Sequence, residues 1–249
     1  MTRRLLAVLI ILVGLAGVGV AGLSTLAPFE DRTSSTQPGP IRSVEVDVEA
    51  GRVEVVAGQA DEATVERTRR YVRGTPLTSE TLVDGVLRLQ ADCRRIVAIG
   101  CRVDYRLVVP SQVPLRIRTE SGSVAVENMA GMVDVETSSG GVRLLGTRGP
   151  VRVSTSAGNV DGVDLVADFL DATTQAGRIR LSLAEPSGRV GLRTGAGNID
   201  LALPPVDAGY RVTTETGAGK VDVSVGQDPG AARAVTATTG AGNIRIRPR

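Results

Sequence analysis

The chain has 249 residues, 42% of them hydrophobic, with 29 basic and 27 acidic side chains and a formal charge of +2. So even a balance offers no concentrated basic face for nucleic acid, and the absence of His removes Ser-His-Asp triads, Cys-His dyads and His-liganded zinc. Aromatic residues are only 2% and Trp is absent, so an interior must be filled by Val, Leu, Ile and Ala, which suits thin cores between closely spaced strands.

At the amino terminus, Arg3 and Arg4 precede an apolar run from Leu5 to Ala27. The 22 residues from Leu5 to Leu26 would form a helix of about 33 Å, enough for a hydrocarbon core of ~30 Å. Residues 1–27 are therefore expected to be a cytoplasmic stub and a transmembrane anchor. Glu30 and Asp31 follow the run, so the positive-inside rule leaves the rest of the chain outside the cytoplasm, at the cell membrane. The alternative is a cleaved secretory signal with small residues at Gly19-Val20-Ala21, which would release the protein. Residues 28–40 hold Pro28, Pro38 and Pro40 with a run of Ser and Thr, and are expected to be a spacer.

Residues 41–110 are expected to form an amino-terminal β region of sandwich type. Val44, Val46 and Val48 alternate with Glu45 and Asp47, the period of a half-buried strand. Val53 and Val55 begin a second strand and Ala63–Thr68 continues the alternation. Residues 70–80 look like a loop. Leu82–Gln90 and Arg102–Val109 are further strands, joined through Cys93 and Cys101. These are the only cysteines, and in an oxidising compartment they are expected to form a disulfide. Pro110 and Pro114 bracket a break.

Residues 111–249 carry the strongest signal. Gly122, Gly131, Gly140, Gly149 and Gly158 recur every nine residues, each followed two positions later by Val124, Val133, Val142, Val151 or Val160. Thr119, Thr137, Thr155 and Thr173 recur every 18. A fixed period of this kind marks a stacked repeat. The simplest geometry is a flattened β-solenoid of ~18-residue coils, one strand in each of two sheets, with Val inside and Gly at the corners. The rhythm continues through Gly177, Gly197, Gly219 and Gly242, interrupted by apparent insertions at 203–212 and 226–233. Asp164–Ala172 fits a strand that has lost its glycine. Ile244 and Ile246 alternate with Arg245, Arg247 and Arg249, as expected of a charged last strand guarding an open end. The fold class is all-β, with sandwich-like strands leading from the anchor helix into the solenoid.

The run Val109-Pro-Ser-Gln-Val-Pro-Leu-Arg-Ile-Arg-Thr-Glu-Ser-Gly-Ser-Val-Ala-Val126, followed by repeated T-x-x-G-x-V-x-V, resembles the bacterial putative-adhesin β-strand-repeat family, a domain of unknown function. The resemblance covers roughly residues 41–249. It implies an extracytoplasmic β-solenoid, often membrane-attached, with surface-interaction or envelope-stress roles, and it brings no catalytic residues. The family often has Ser-Gly-Asp at its turns, whereas this chain has Ser-Gly-Ser, Ala-Gly-Asn and Ala-Gly-Lys.

Other chemistries are weighed against that frame. Gly195-Ala-Gly-Asn, Gly217-Ala-Gly-Lys and Gly240-Ala-Gly-Asn lack the third glycine and helix start of a dinucleotide loop and the full spacing of a phosphate loop. Asp200 and Asp222 fall one position late for a calcium-binding repeat. Neither cofactor nor metal is expected. Asp161, Asp164, Asp168 and Asp171 could line a groove and support a carbohydrate-active β-helix enzyme. Arg143, Arg152, Arg178, Arg180, Arg189 and Arg193 could bind anionic polymers, or simply belong to a mixed soluble surface. The expected function is a non-enzymatic, membrane-anchored envelope protein presenting its repeat surface to an envelope protein or cell-wall polymer. An envelope-stress regulatory partner is a further alternative.

Overall fold

The computed structural model describes residues 27–58, 62–93 and 100–249, and the expected anchor helix, apart from Ala27, lies outside them. The chain first forms β1 (Phe29–Pro38), β2 (Ser43–Ala50), β3 (Val53–Gly58), β4 (Glu62–Tyr71), β5 (Leu77–Val83), β6 (Val86–Asp92) and β7 (Arg102–Pro110). The glycine-paced region follows as β8 (Leu115–Ser121), β9 (Val124–Glu127), β10 (Val133–Ser139), β11 (Val142–Leu145), β12 (Val151–Ala157), β13 (Val160–Leu165) and β14 (Phe169–Ala176). It continues as β15 (Ile179–Leu183), β16 (Arg189–Ala196), β17 (Ile199–Leu203), β18 (Arg211–Ala218), β19 (Val221–Val223), β20 (Ala234–Ala241) and β21 (Ile244–Pro248).

From β6 onward, successive strands alternate between two sheets. Sheet I has eleven strands in the order β1-β4-β7-β3-β9-β11-β13-β15-β17-β21-β19. Sheet II has ten, in the order β18-β20-β16-β14-β12-β10-β8-β2-β6-β5. In the repeat region every neighbouring pair is parallel. Val133 lies beside Leu115 and Val151, and Val142 beside Val124 and Val160. The nine-residue step is therefore half a coil, and the apolar residues two and four past each corner glycine point between the sheets. The resulting core is one continuous cluster of Val, Leu, Ile and Ala with Met129, Tyr105 and Tyr210. Each fully buried branched residue contributes ~1.5–3 kcal/mol before chain entropy is counted.

The corner glycines alternate between the two edges of this flattened coil. Gly122, Gly140, Gly158, Gly177, Gly197, Gly242 and Gly219 stack in that order along one edge, continuing from Gly51, and each lies against the backbone carbonyl of its predecessor. A Cβ at Gly140 would run into the carbonyl oxygen of Gly122, so close backbone approach, rather than turn propensity alone, requires glycine here. Gly131 and Gly149 lie on the opposite edge, where Gly149 takes a φ of 117°. A buried threonine ladder backs the glycine stack. The hydroxyls of Thr174, Thr194, Thr239 and Thr216 donate to the carbonyls of Gly158 (3.0 Å), Gly177 (2.9 Å), Gly197 (2.9 Å) and Gly242 (2.9 Å). Thr119, Thr137 and Thr155 hold the same register, but the expected fourth member, Thr173, does not. Val151 pairs with Leu170, so that coil is one residue longer, Thr174 takes the inward slot and Thr173 lies in the outward row beside Arg193.

The ends depart further from expectation. Residues 29–38 are not a free spacer: they form β1, paired antiparallel with β4 along its whole length. The loop expected over 70–80 shrinks, because β4 runs to Tyr71 and β5 starts at Leu77. The strand expected from Leu82 is a hairpin of β5 and β6, turning at Asp84 and Gly85 with φ of 51° and 77°. Asp-Gly is the strongest short hairpin signal, so that turn was visible in the sequence. The region 41–110 is not a distinct sandwich either. The strand pairs β2/β3 and β6/β7 are coils of the same two sheets, with β2 beside β8 and β3 beside β9. Finally, the last strand does not guard the open end. β21 lies between β17 and β19, and β20 between β16 and β18. Burial explains this order. Val235, Ala237, Ile244 and Ile246 are fully covered in the interior coil, whereas β18 and β19 offer Thr214, Thr216 and a 44% exposed Val221 at the end.

Candidate interaction surface

Because strands alternate faces and coils stack in register, residues about one coil apart become outward neighbours. On sheet I one lateral row runs Arg106, Glu54, Ala125, Arg143, Asp161, Arg180, Asp200, Arg245, Asp222. On sheet II a row runs Arg88, Glu45, Arg116, Asp134, Arg152, Asp171. Charge alternates along both. Ion pairs cross from coil to coil: Arg106–Glu54, Arg88–Glu45 (2.8 Å), Arg116–Asp134 (3.4 Å), Arg118–Glu136 (2.9 Å) and Arg245–Asp222 (3.7 Å). The Glu136 carboxylate, hydrogen-bonded by Arg118, raises the affinity of that guanidinium for its proton. Exposed pairs of this kind are screened by water and salt, so they set surface pattern more than stability.

Of the arginines singled out in the sequence, Arg178 pairs with Asp161 at 3.5 Å and Arg152 lies 5.9 Å from the ring centre of Phe169. Arg143, Arg180, Arg189 and Arg193 remain on the surface without an ion pair among the described residues. The row next to the charged one on sheet I runs Val56, Glu127, Leu145, Val163 and ends apolar, its last two members 40% and 49% exposed. Sequence inspection missed the apolar Leu145–Val163 pair, although Leu144-Leu145 and Gly162-Val163 each break the polar alternation.

The four aspartates of the enzymatic alternative are dispersed. Asp161 is outward on sheet I and Asp171 outward on sheet II, on opposite sides of the core. Asp164 pairs with the Arg249 side chain, and Asp168 sits in the corner between β13 and β14, its carbonyl accepting from the Ser187 hydroxyl and the Arg189 N–H. No common groove holds them. Asp200 pairs with Arg247 at 3.4 Å, and among the described residues no cluster of three carboxylates or cysteines is disposed to hold a metal ion. The Gly-Ala-Gly turns at 195, 217 and 240 lead into β17, β19 and β21, as strands.

Two features assemble sites from separate stretches. Cys93 and Cys101 form a disulfide with Cα atoms 6.0 Å apart, at the corner of the β6/β7 coil where later coils place glycine. The two rhythm breaks, 203–212 and 226–233, meet: the Tyr210 N–H donates to the Gly226 carbonyl (2.9 Å) and the Asp228 N–H to the Tyr210 carbonyl (3.0 Å). Tyr210 is buried and its phenol donates to the Pro204 carbonyl at 2.7 Å, while burial raises its pKa. No local pattern could show that these two loops are one place.

These features define a parallel two-sheet β-solenoid whose polar chemistry lies on its outer faces. The chain belongs to the Toastrack DUF4097 family, whose model matches residues 113–247. No curated protein matches it. Among solved structures it is similar to a putative cell adhesion protein from Clostridium sporogenes, with 11% identity, a TM-score of 0.41 and coverage of 90% of this chain and 100% of that one. A putative adhesin from Bacteroides fragilis gives 13%, 0.43, 87% and 97%, and one from Parabacteroides distasonis gives 12%, 0.32, 87% and 97%. These values are too low for a feature of those proteins to be carried over.

Proposed function

We propose that this protein is a non-enzymatic envelope protein, tethered to the cell membrane through residues 1–27 and presenting its repeat surface to an envelope protein or cell-wall polymer. The observation that carries the proposal is the pair of ordered outer faces, on which Arg and Asp or Glu alternate across successive coils. A lattice of fixed charges at ~4.8 Å spacing suits recognition of an extended, regularly charged partner better than it suits turnover. The dispersal of Asp161, Asp164, Asp168 and Asp171 removes the carboxylate pair on which the hydrolytic alternative rested.

Crosslinking of the tagged full chain in its own cells tests the proposal. A partner captured by the parent and lost with Arg143→Glu plus Arg180→Glu, at unchanged abundance, is the expected result. Turnover of envelope polysaccharide by the purified chain would overturn it.

A further inference from the structure

We infer that the solenoid lies along the bilayer surface on its glycine-corner edge, seated at one end by the rings of Phe29 and Tyr71. The inference rests on the membrane tether proposed above. The 22-residue membrane-spanning stretch ends at Leu26, and Phe29 already begins a strand paired with β4 from Phe29–Tyr71 to Pro38–Glu62. The residues expected to be a spacer are thus part of the sheet. From Leu26 to Phe29 the chain reaches at most ~11 Å. The headgroup layer outside a ~30 Å core is about 5–8 Å deep. A rigid sheet therefore starts at headgroup level. What it presents there is an exposed Phe29 stacked on Tyr71, ring centres 5.7 Å apart. Aromatic rings of this kind favour the membrane–water interface.

Phe29 and Tyr71 sit on the same edge as the corner glycines, because Arg70 pairs with Arg102 and the Arg52 N–H donates to Asp104. The row following those glycines runs from Arg52 through Ser123, Asn159, Arg178 and Asn198 to Lys220 and holds no carboxylate. The row preceding them, from Ser121 to Ala218, is entirely Ser and Ala and allows close approach. The carboxylates beside the rings are paired, Asp104 and Glu30 with Arg70 at 2.7 and 3.0 Å and Asp31 with Arg69, and Glu49, Asp92 and Glu120 flank the edge on sheet II. The opposite edge exposes Asp168, Glu185, Asp207 and Asp228 together with Arg42, Arg148 and Arg249, of which Arg148 pairs with Glu185 at 3.9 Å and Arg249 with Asp164. An anionic lipid surface thus favours the first edge over the second. At ~4.8 Å per strand, eleven strands set down a footprint about 48 Å long.

The chain contains no Trp, so single-Trp variants report position directly. The full chain is reconstituted into phosphatidylcholine vesicles containing phosphatidylglycerol, as Phe29→Trp, Ala218→Trp at the far end of the same edge, and Asp207→Trp on the opposite edge. Flotation with the vesicles reads the tether, and quenching by headgroup-labelled lipid reads the seat. The expected result is flotation of all three, at least twofold quenching of Phe29→Trp and Ala218→Trp, none of Asp207→Trp, and loss of the Ala218→Trp signal in 0.5 M salt with flotation unchanged. Flotation with Ala218→Trp as unquenched as Asp207→Trp would overturn the seat and leave the tether standing. Failure to float would remove the tether, and the seat with it. A concentration-dependent blue shift of Phe29→Trp without lipid quenching would assign that edge to a second copy of the chain and overturn the seat.

Discussion

The two ends of the solenoid are closed by different means. At the β1 end, antiparallel strands cover the last coil. β4 and β1 extend sheet I, β5 extends sheet II, and an ion pair between Arg67 and Glu80 (2.6 Å), each side chain only 14% exposed, bridges the sheets over the core. The Cys93–Cys101 disulfide ties the adjacent coil, in which the buried Tyr105 donates its phenol to the Gln90 carbonyl at 3.4 Å. At the β18 end no strand is added among the described residues. The inward row Ile117, Val135, Val153, Ala172, Leu192, Ala237 ends in Thr214, and beside it Val212 and Val223 are only part-buried, so the core thins into a half-polar coil rather than being covered. A stacked repeat must end in a unit with one tolerably wet face, and this protein shows two ways of making one: covering strands with a buried charge pair, or a coil in which Thr replaces part of the apolar row. The first resists end-to-end association strongly and the second only weakly.

The largest effect expected contrasts an interior corner with a terminal one. Gly197→Ala drives a Cβ into the Gly177 carbonyl between two coils that cannot move, and should cost more than about 4 kcal/mol, whereas Gly219→Ala, in the free end coil, should cost about half that. Denaturant unfolding of the two variants measures the difference. Next, Glu80→Ala leaves Arg67 uncompensated at the covered end and should cost about 3–4 kcal/mol. Replacing both by Leu and Met should recover most of it. A double variant no more stable than Glu80→Ala would remove the cap role of the pair.

The third prediction is a pH dependence. Burial, with the Glu80 charge nearby, pushes the Tyr105 phenol up to about 12. A raised phenol pKa means that the folded state keeps its proton where the unfolded state loses it. Stability is therefore complete below pH 10 and falls as pH rises to about 12, by ~3 kcal/mol. Tyr105→Phe should flatten that decline more than Tyr210→Phe does. Close behind it, Cys93→Ser should lower stability by roughly 2.5 kcal/mol, given the short loop closed, without altering the far-UV spectrum. The smallest effect sharpens the other end. Thr214→Val should change stability by no more than about 1 kcal/mol but promote concentration-dependent association, which sedimentation would detect.

Much of the central solenoid was legible because its information is local. Val124, Val142 and Val160 need only the two-residue strand period and a glycine at each corner to be assigned an inward face. The disulfide was legible from cysteine number and expected compartment. The outer charge lattice was half visible: Arg116 and Arg118 were plainly outward, but their partners Asp134 and Glu136 follow only from the coil register. Thr173 shows how fragile that register is, since a single added residue between β12 and β14 moves Thr174 into the ladder instead. The aspartates at 161–171 mislead for a related reason, because a chain that changes sheet at Asp168 separates sequence neighbours by the thickness of the core.

The sequence by itself determined the repeat, its corners and what lies inside it, because strand alternation and close glycine stacking act between residues one coil apart. Only the tertiary structure decided which coil is last, that β1 is part of the sheet, and that the loops around Tyr210 and Asp228 form one place. Those outcomes come from competition among distant strands for the buried positions. Ile244 and Ile246 displace Val221 and Val223 from the interior because covering them removes more apolar surface from water, a comparison that no local pattern contains.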